Sequence, residues 1–435
     1  MGRYFKRIEG AFGKMKDSKN LVRALTLKDA VGVGLGAIIG AGIFVVTGVA
    51  AGVSGPAFMV GLLVAGIIAT FNALSSAQLA AVYPHSGGTY EYGYRLLNPA
   101  LGFSAGWMFL ISKLSAAGVV AIGFGSYFHQ LVPITSPLTL SIIAVLFLTV
   151  ANYFGIKKVG KLNLIIVSIT LLSLIYLVFS GIPDVKTDNF KPFAPFGISG
   201  IAEASALLFF AYTGYARIAT LAEEVKDPKK TIPKAVIITI ITAIILYIAV
   251  SIVAIGVIGT DKMAASTSPL QIVANALSSP AIDTIITIGA STAMLGVLLS
   301  QILGISRMML AMGRRNDIPP FFQKIHNKYR VPHLGVIATG IIILVLTLTG
   351  SFEFIVRAAS FTILLYYSIT NIAALKQPSE EQIYGKAIPI LGLAGCLAMS
   401  VSLPFNVIAT GVLLLIAGFI LRYLLHYSKN RRQQI

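Results

Sequence analysis

Acidic side chains are scarce in this chain: 16 Asp and Glu stand against 34 Lys and Arg in 435 residues, and charged residues of all kinds make up 11%. Soluble domains carry about a quarter. A chain this poor in charge has too few polar groups to clothe a folded body in water, which excludes an ordinary soluble domain. Cysteine is nearly absent as well. Cys396 stands alone inside an apolar run, so neither a disulfide framework nor a cysteine metal site can form. The five histidines, at 85, 129, 326, 333 and 426, show no metal-binding spacing, and the sequence has no nucleophile elbow and no P-loop. These absences argue against an enzyme, an ATPase or a bound cofactor. The net charge of +18 would suit nucleic acid only on a soluble basic face, and here the basic residues lie between apolar runs. Nucleic acid is therefore not an expected partner.

What the chain has in abundance is apolar length. Hydrophobic residues make up 56% and the mean hydropathy is +0.85. Runs of about twenty such residues, each enough to cross a bilayer as a helix, recur throughout. The basic, polar stretch Met1–Lys28 lacks the apolar centre of a cleavable signal, so the first run is expected to be retained. An all-α membrane protein with twelve spans is expected, at roughly 27–52, 56–82, 99–128, 137–154, 159–181, 198–221, 232–258, 283–311, 334–350, 352–375, 387–402 and 404–427. With the N-terminus in the cytoplasm, 28 of the 34 Lys and Arg fall on the cytoplasmic side, against Lys186, Lys191 and Lys262 outside. The positive-inside rule then sets both termini in the cytoplasm of a cell-membrane protein surrounded by lipid. The basic tails 1–26 and 428–435 read as solvated topology signals. The long outer loop Gly259–Pro280 reads as a segment that dips back as a lid.

Two stretches break the monotony of these spans. Gly32–Phe44, GVGLGAIIGAGIF, has glycines at 32, 34, 36, 40 and 42. Either the helix opens there or the glycines let neighbouring helices pack closely, and this stretch alone leaves both readings open. In the sixth span, Leu207–Glu224, LLFFAYTGYARIATLAEE, crowds aromatic residues around Gly214. The two lie five spans apart, an odd number, so the halves 27–181 and 198–375 would cross the membrane in opposite senses, as a 5+5 inverted repeat, leaving 387–427 as two extra helices. Paired interrupted helices in such halves point to a transporter site at mid-membrane. Opened peptide groups there must find partners. Amide N–H groups suit an anion and carbonyls a cation, so a zwitterionic amino acid is the expected substrate.

GAIIGAGIF in the first span, YPHSGGTYEYGYRLLNP after the second, FFAYTGYARIATLAEEVKDPKKTIPKA from the sixth onward and ISRMMLAMGRRNDIPPFF after the eighth give the chain its resemblance. In this order they resemble the amino acid–polyamine–organocation transporters, which share the leucine-transporter-type fold. The motifs resemble those of an archaeal member of broad specificity. It implies that the Ala41 and Gly42 amides bind the substrate carboxylate and that the carbonyls of Ile38, Phe210, Ala211 and Thr213 take the ammonium, with Phe209 or Phe210 as an aromatic gate. Many relatives carry an acid where this chain has Ala216, which favours neutral amino acids here.

Charged residues inside spans are functional candidates by default. Glu203 and Arg217 sit near helix ends by count and read as snorkelling to water, while Arg357 reads as a structural ion pair. Lys113 is the deepest lysine by count, and Lys157, Lys158 and Lys161 read as a basic turn. The resemblance singles out Lys158: in some proton-coupled relatives a fifth-span lysine replaces sodium, which here would place its ammonium on the Gly36 and Ile39 carbonyls and on Ser291 or Thr292. The expected activity is sodium-independent proton symport of amino acids. An exchanger on the same scaffold is the alternative, and a channel or receptor is disfavoured by the lack of charge rings.

Overall fold

The computed structural model describes residues 25–83, 87–155, 159–220, 225–277, 279–349 and 351–432, and among them it is helical almost throughout. In chain order the α-helices are α1 (Leu27–Ile38), α2 (Thr47–Ser54), α3 (Phe58–Val82), α4 (Thr89–Tyr92), α5 (Pro99–Phe128), α6 (Pro137–Phe154), α7 (Val159–Gly181), α8 (Gly197–Phe209) and α9 (Ala216–Thr220). They continue as α10 (Pro228–Ala264), α11 (Pro269–Ala276), α12 (Pro280–Arg314), α13 (His333–Thr349), α14 (Phe352–Lys376), α15 (Ala387–Val401) and α16 (Phe405–Arg432). Prolines mark many starts, because the first turn of a helix has no use for the amide hydrogen that proline lacks. At α5 and α6 a side chain caps the same turn: Asn98 Oδ1 accepts from Leu101 N–H at 2.9 Å and Ser136 Oγ from Thr139 N–H at 3.1 Å. Among the described residues, eight helical segments are long and apolar enough to cross a membrane, one of them Leu27–Val82, which holds two expected spans divided near Gly55.

Packing sorts the helices into two groups. One gathers α1, α2, α3, α8, α9 and α10; the other gathers α5, α6, α12 and α13. Helix α14 lies against α3 and α5, and α7 bridges α12, α10 and α1. The small-residue run in α15 packs on both α14 and α3, since a Cβ at Gly392 would meet Asn371 and one at Gly395 would meet Ile68. Phe147 of α6, Phe179 of α7 and Ile420 of α16 stay exposed on the periphery, as residues meeting lipid tails would.

The end of the bundle that carries most of the basic residues is stitched by a polar network. Asp317, 1% exposed, accepts hydrogen bonds from Tyr90 (2.7 Å) and Tyr94 (2.6 Å) and pairs with Arg422 of α16 at 3.0 Å. Glu91 pairs with Arg95 at 2.8 Å and with Arg315 at 2.6 Å, and the Arg315 guanidinium lies 4.4 Å from the centre of the Tyr94 ring. Burial first and the Asp317 carboxylate second hold the Tyr90 and Tyr94 phenols well above their usual range, so both remain donors.

At the same end Tyr83 donates to Glu381 at 2.5 Å. Burial, then the Glu381 carboxylate, pushes this phenol from 10 up to about 12. A raised phenol contributes stability that is complete below pH 10 and is lost as pH rises through about 12. The melting-temperature gap between wild type and Tyr83→Phe should therefore stay constant from pH 7 to 10 and narrow above it. A gap that widens at alkaline pH would contradict this.

Candidate functional site

Helix α1 starts on a capping box, with Thr26 N–H donating to Asp29 Oδ2 at 2.8 Å and Asp29 N–H to Thr26 Oγ1 at 3.4 Å. It ends where Ile39 turns extended, φ −80° and ψ 105°, its N–H still closing the last turn on Leu35 O at 2.8 Å. The chain resumes as a wide π-type turn over Gly42–Val46 and then as α2. The first span is thus interrupted around Ile39 and Gly40. The glycines also serve close packing: a Cβ at Gly42 would lie 2.5 Å from Ala211 Cα, and one at Gly40 would lie 2.9 Å from Val297. The break and the close packing thus fall in the same few residues, and Gly40 serves both.

The sixth span behaves differently. Between α8 and α9, Phe210–Tyr215 tightens into a 3-10 helix whose flanking residues keep right-handed helical angles. The chain therefore does not run extended here, as it does at Ile39. Bonds from residue i to i+3 are poorer in geometry than the α ladder, and side chains supply further donors. Thr213 Oγ1 donates to Phe210 O at 3.0 Å, and the Tyr367 hydroxyl to Thr213 O at 3.4 Å. Tyr247 of α10, fully buried, donates to Ile38 O at 2.9 Å and lies 3.4 Å from Ala211 O. One phenol thus touches both the break in the first span and the 3-10 segment of the sixth. Gly214 completes the approach, since a Cβ there would be 2.2 Å from the Ala37 carbonyl and 2.5 Å from Ile38 N.

The structure brings Ile38, Ala41, Gly42, Ala211 and Thr213 together, all buried. Phe209 is fully buried with its ring edge-on to Tyr367 at 5.7 Å, whereas Phe210 is half-buried. Tyr247 and Tyr367 were not read from the sequence. A buried tyrosine needs a partner for its hydroxyl, but their long apolar helices give no sign of which carbonyl it reaches. The segment with the Ala41 and Gly42 amides and the segment with the Phe210, Ala211 and Thr213 carbonyls meet at contact distance, at Gly42 against Ala211 and Gly214 against Ala37.

Lys158 lies outside the described residues. Of the groups expected around it, Thr292 donates to Ile288 O at 2.8 Å, while the buried Ser291 Oγ has no hydrogen-bond partner among the described residues. Gly36 is half-buried and Ile39 buried. Lys113 is half-buried, its ammonium 6.0 Å from the Phe109 ring centre. Arg217 turns inward to Ser300, donating to its carbonyl at 3.1 Å and to its hydroxyl, and Glu203 is about one-fifth exposed and paired with Arg357 at 3.1 Å. Arg217 does not snorkel, because it finds its acceptors on Ser300, whereas Glu203 keeps part of its surface exposed beside a counter-charge. Arg357 also meets Glu353 at 3.1 Å, an ion pair as expected for a group that cannot shed its proton.

A family model described as amino acid permease matches residues 29–430. The chain is similar to an uncharacterized transporter of Mycobacterium tuberculosis, 36% identical over 400 residues, which are 92% of this chain and 90% of that one. It is also similar to the branched-chain amino acid permease BcaP of Bacillus subtilis, 28% identical over 453 residues, covering 98% and 97%. A methylthioribose transporter of Bacillus subtilis is 30% identical over 418 residues, covering 89% and 90%. These relatives are transporters and not enzymes, and with its long apolar helices the chain is a multi-pass membrane protein.

Proposed function

Because the chain belongs to the amino acid permease family, we propose that it takes up neutral L-amino acids with broad specificity, by sodium-independent proton symport and alternating access. The observation that carries this reading is the interrupted segment Ile38–Ala41 set against the 3-10 segment Phe210–Tyr215, with Tyr247 joining them. Backbone groups grip what all amino acids share, so the side chain is left to an apolar, aromatic surround and specificity is broad. In this reading the Ala41 and Gly42 amides hold the carboxylate. The carbonyls of Ile38, Phe210, Ala211 and Thr213 hold the ammonium, and the half-buried Phe210, more than the buried Phe209, serves as the gate. Ala216 offers no counter-charge to a basic side chain, and a relative whose name assigns it branched-chain amino acids agrees with neutral substrates.

The architecture we infer is twelve spans with both termini in the cytoplasm of the cell membrane. The grouping supports an inverted repeat: one group joins the first two spans to the sixth and seventh, the other the third and fourth to the eighth and ninth. Lys158 is the proposed proton carrier, seated between the first and eighth spans near the Gly36 and Ile39 carbonyls, Ser291 and Thr292. The Ser291 hydroxyl, without a hydrogen-bond partner among the described residues, supports a donor or cation arriving there, because a buried hydroxyl left unsatisfied costs about 1–3 kcal/mol.

Uptake into proteoliposomes under an imposed inward proton gradient, without sodium, tests this across all twenty amino acids. Accumulation of neutral amino acids is expected, and Lys158→Ala should equilibrate substrate without concentrating it. A sodium requirement, uptake only into substrate-preloaded vesicles, or a Lys158→Ala protein that still concentrates substrate would overturn proton symport. Carriage of a sugar in place of amino acids would overturn the substrate.

A further inference from the structure

At the end of the bundle opposite the basic network, α11 caps the first span. A Cβ at Gly48 of α2 would lie 2.7 Å from the Met263 carbonyl and 3.1 Å from that of Ser266, so the α10–α11 connection rests on α2 at contact distance. Leu270, Gln271, Val273 and Ala274 of α11 are buried. Gln271 donates to Asp283 and accepts from Thr287 Oγ1 at 2.8 Å, both on α12, and Thr267 shares a hydrogen bond with Ser126 of α5 at 2.8 Å. The outer segment read from the sequence as a lid thus lies packed on α2, α5 and α12.

One hydroxyl links the lid to the substrate turn. Tyr127, in the last turn of α5 and fully buried, donates to Phe44 O at 2.6 Å and accepts from Leu270 N–H at 3.2 Å. A phenol has one proton to give and lone pairs to receive, so both bonds form together. Phe44 belongs to the wide turn that begins at Gly42, and its ring meets the Tyr127 ring edge-on at 5.8 Å. Leu270 stands second in α11, where an amide has no partner within its own helix. The neighbouring Thr47 hydroxyl takes the Ile43 carbonyl at 2.8 Å, so the turn's shape depends on hydroxyl donors at two successive carbonyls.

The geometry points to Tyr127 as a positioning residue for transport, one that couples closure of the outer lid to the turn carrying the carboxylate-binding amides. This rests on the substrate site proposed above. Substrate seated on Ala41 and Gly42 sets the Phe44 carbonyl and with it the phenol, which then presents its lone pair to Leu270 and holds the lid down. By reciprocity, a closed lid tightens substrate binding by the same factor.

Two variants remove this hydroxyl bridge without touching the site. Tyr127→Phe keeps the ring and loses the hydroxyl, and Leu270→Pro removes the amide hydrogen at a helix start that tolerates proline; because it also replaces a fully buried side chain, Leu270→Val, which keeps the amide hydrogen, is the control for lost packing. The readouts are uptake of the amino acid best carried by wild type and thiol labelling from outside of Ile272→Cys, a half-buried lid position, in a Cys396→Ser background. In wild type, substrate should slow labelling. In either variant KM should rise about tenfold, inside the 5–150-fold range of such couplings, with Vmax within about twofold and labelling indifferent to substrate. The double variant should be no worse than either single one. Substrate protection that survives Tyr127→Phe, or effects that multiply in the double variant, would overturn the coupling alone. A wild type that binds none of the twenty amino acids would remove the substrate site and this inference with it.

Discussion

Gly214→Ala is expected to reduce amino acid uptake by about a hundredfold or more while leaving a protein that inserts and purifies normally. The added Cβ would lie 2.2 Å from the carbonyl carbon and oxygen of Ala37 and 2.5 Å from Ile38 N. All three are main-chain atoms in the last turn of α1, with no rotamer to move aside. The helix itself must retreat by about 1 Å, a displacement that can cost roughly 100-fold at a site built on positioning. Gly42→Ala makes the same test from the other side, its Cβ falling 2.5 Å from Ala211 Cα. In both variants the Tyr247 hydroxyl can no longer reach the Ile38 and Ala211 carbonyls together. The folding cost should be modest, about 1–3 kcal/mol for overpacking. Gly304→Ala serves as the control, since its Cβ meets nothing within 4 Å and alanine favours the helix. Near wild-type uptake by Gly214→Ala would mean that the two segments need not touch, and the backbone grip would have to be given up.

The second large effect is on stability. Asp317→Ala removes the acceptor shared by Tyr90, Tyr94 and Arg422, leaving the buried Tyr90 hydroxyl and the half-buried Tyr94 hydroxyl without it and the Arg422 guanidinium without its counter-charge. Breaking a buried ion pair from one side costs about 3–5 kcal/mol. Arg422 is about one-fifth exposed and can regain some water, so the lower end, about 3 kcal/mol, is expected. Thermal unfolding in detergent should show a clear drop for Asp317→Ala, a smaller one for Asp317→Asn, which keeps an oxygen for the tyrosines, and a smaller one again for Arg422→Ala. An unchanged melting temperature for Asp317→Ala would show that α16 and the loop after α3 are held by packing alone.

Part of the site could be read in the chain because it is made of glycine. Gly42 and Gly214 mark main-chain contacts that a side chain would obstruct, and their apolar setting already pointed to opened peptide groups inside a membrane. The form of each opening could not be read. Ile39 turns extended, whereas Phe210–Tyr215 tightens without leaving the helical region, since here α10 and α14 bring the Tyr247 and Tyr367 hydroxyls to the segment. Glu203 and Arg357 show the same limit. Counting placed Glu203 near water, but the packing of α8 against α14 gives it a counter-charge at 3.1 Å.

Hydropathy and charge along the chain determine by themselves that this is a helical membrane protein with a basic side, because transfer into lipid is a sum over local residues and needs no knowledge of neighbours. The family motifs likewise sit in short contiguous stretches. Only the tertiary structure decided that Tyr90, Tyr94 and Arg422 meet on Asp317, that Tyr247 spans Ile38 and Ala211, and that Tyr127 joins Phe44 to Leu270. Each is a hydrogen bond between residues far apart in sequence, and its existence depends on distances of a few tenths of an ångström that helix packing sets.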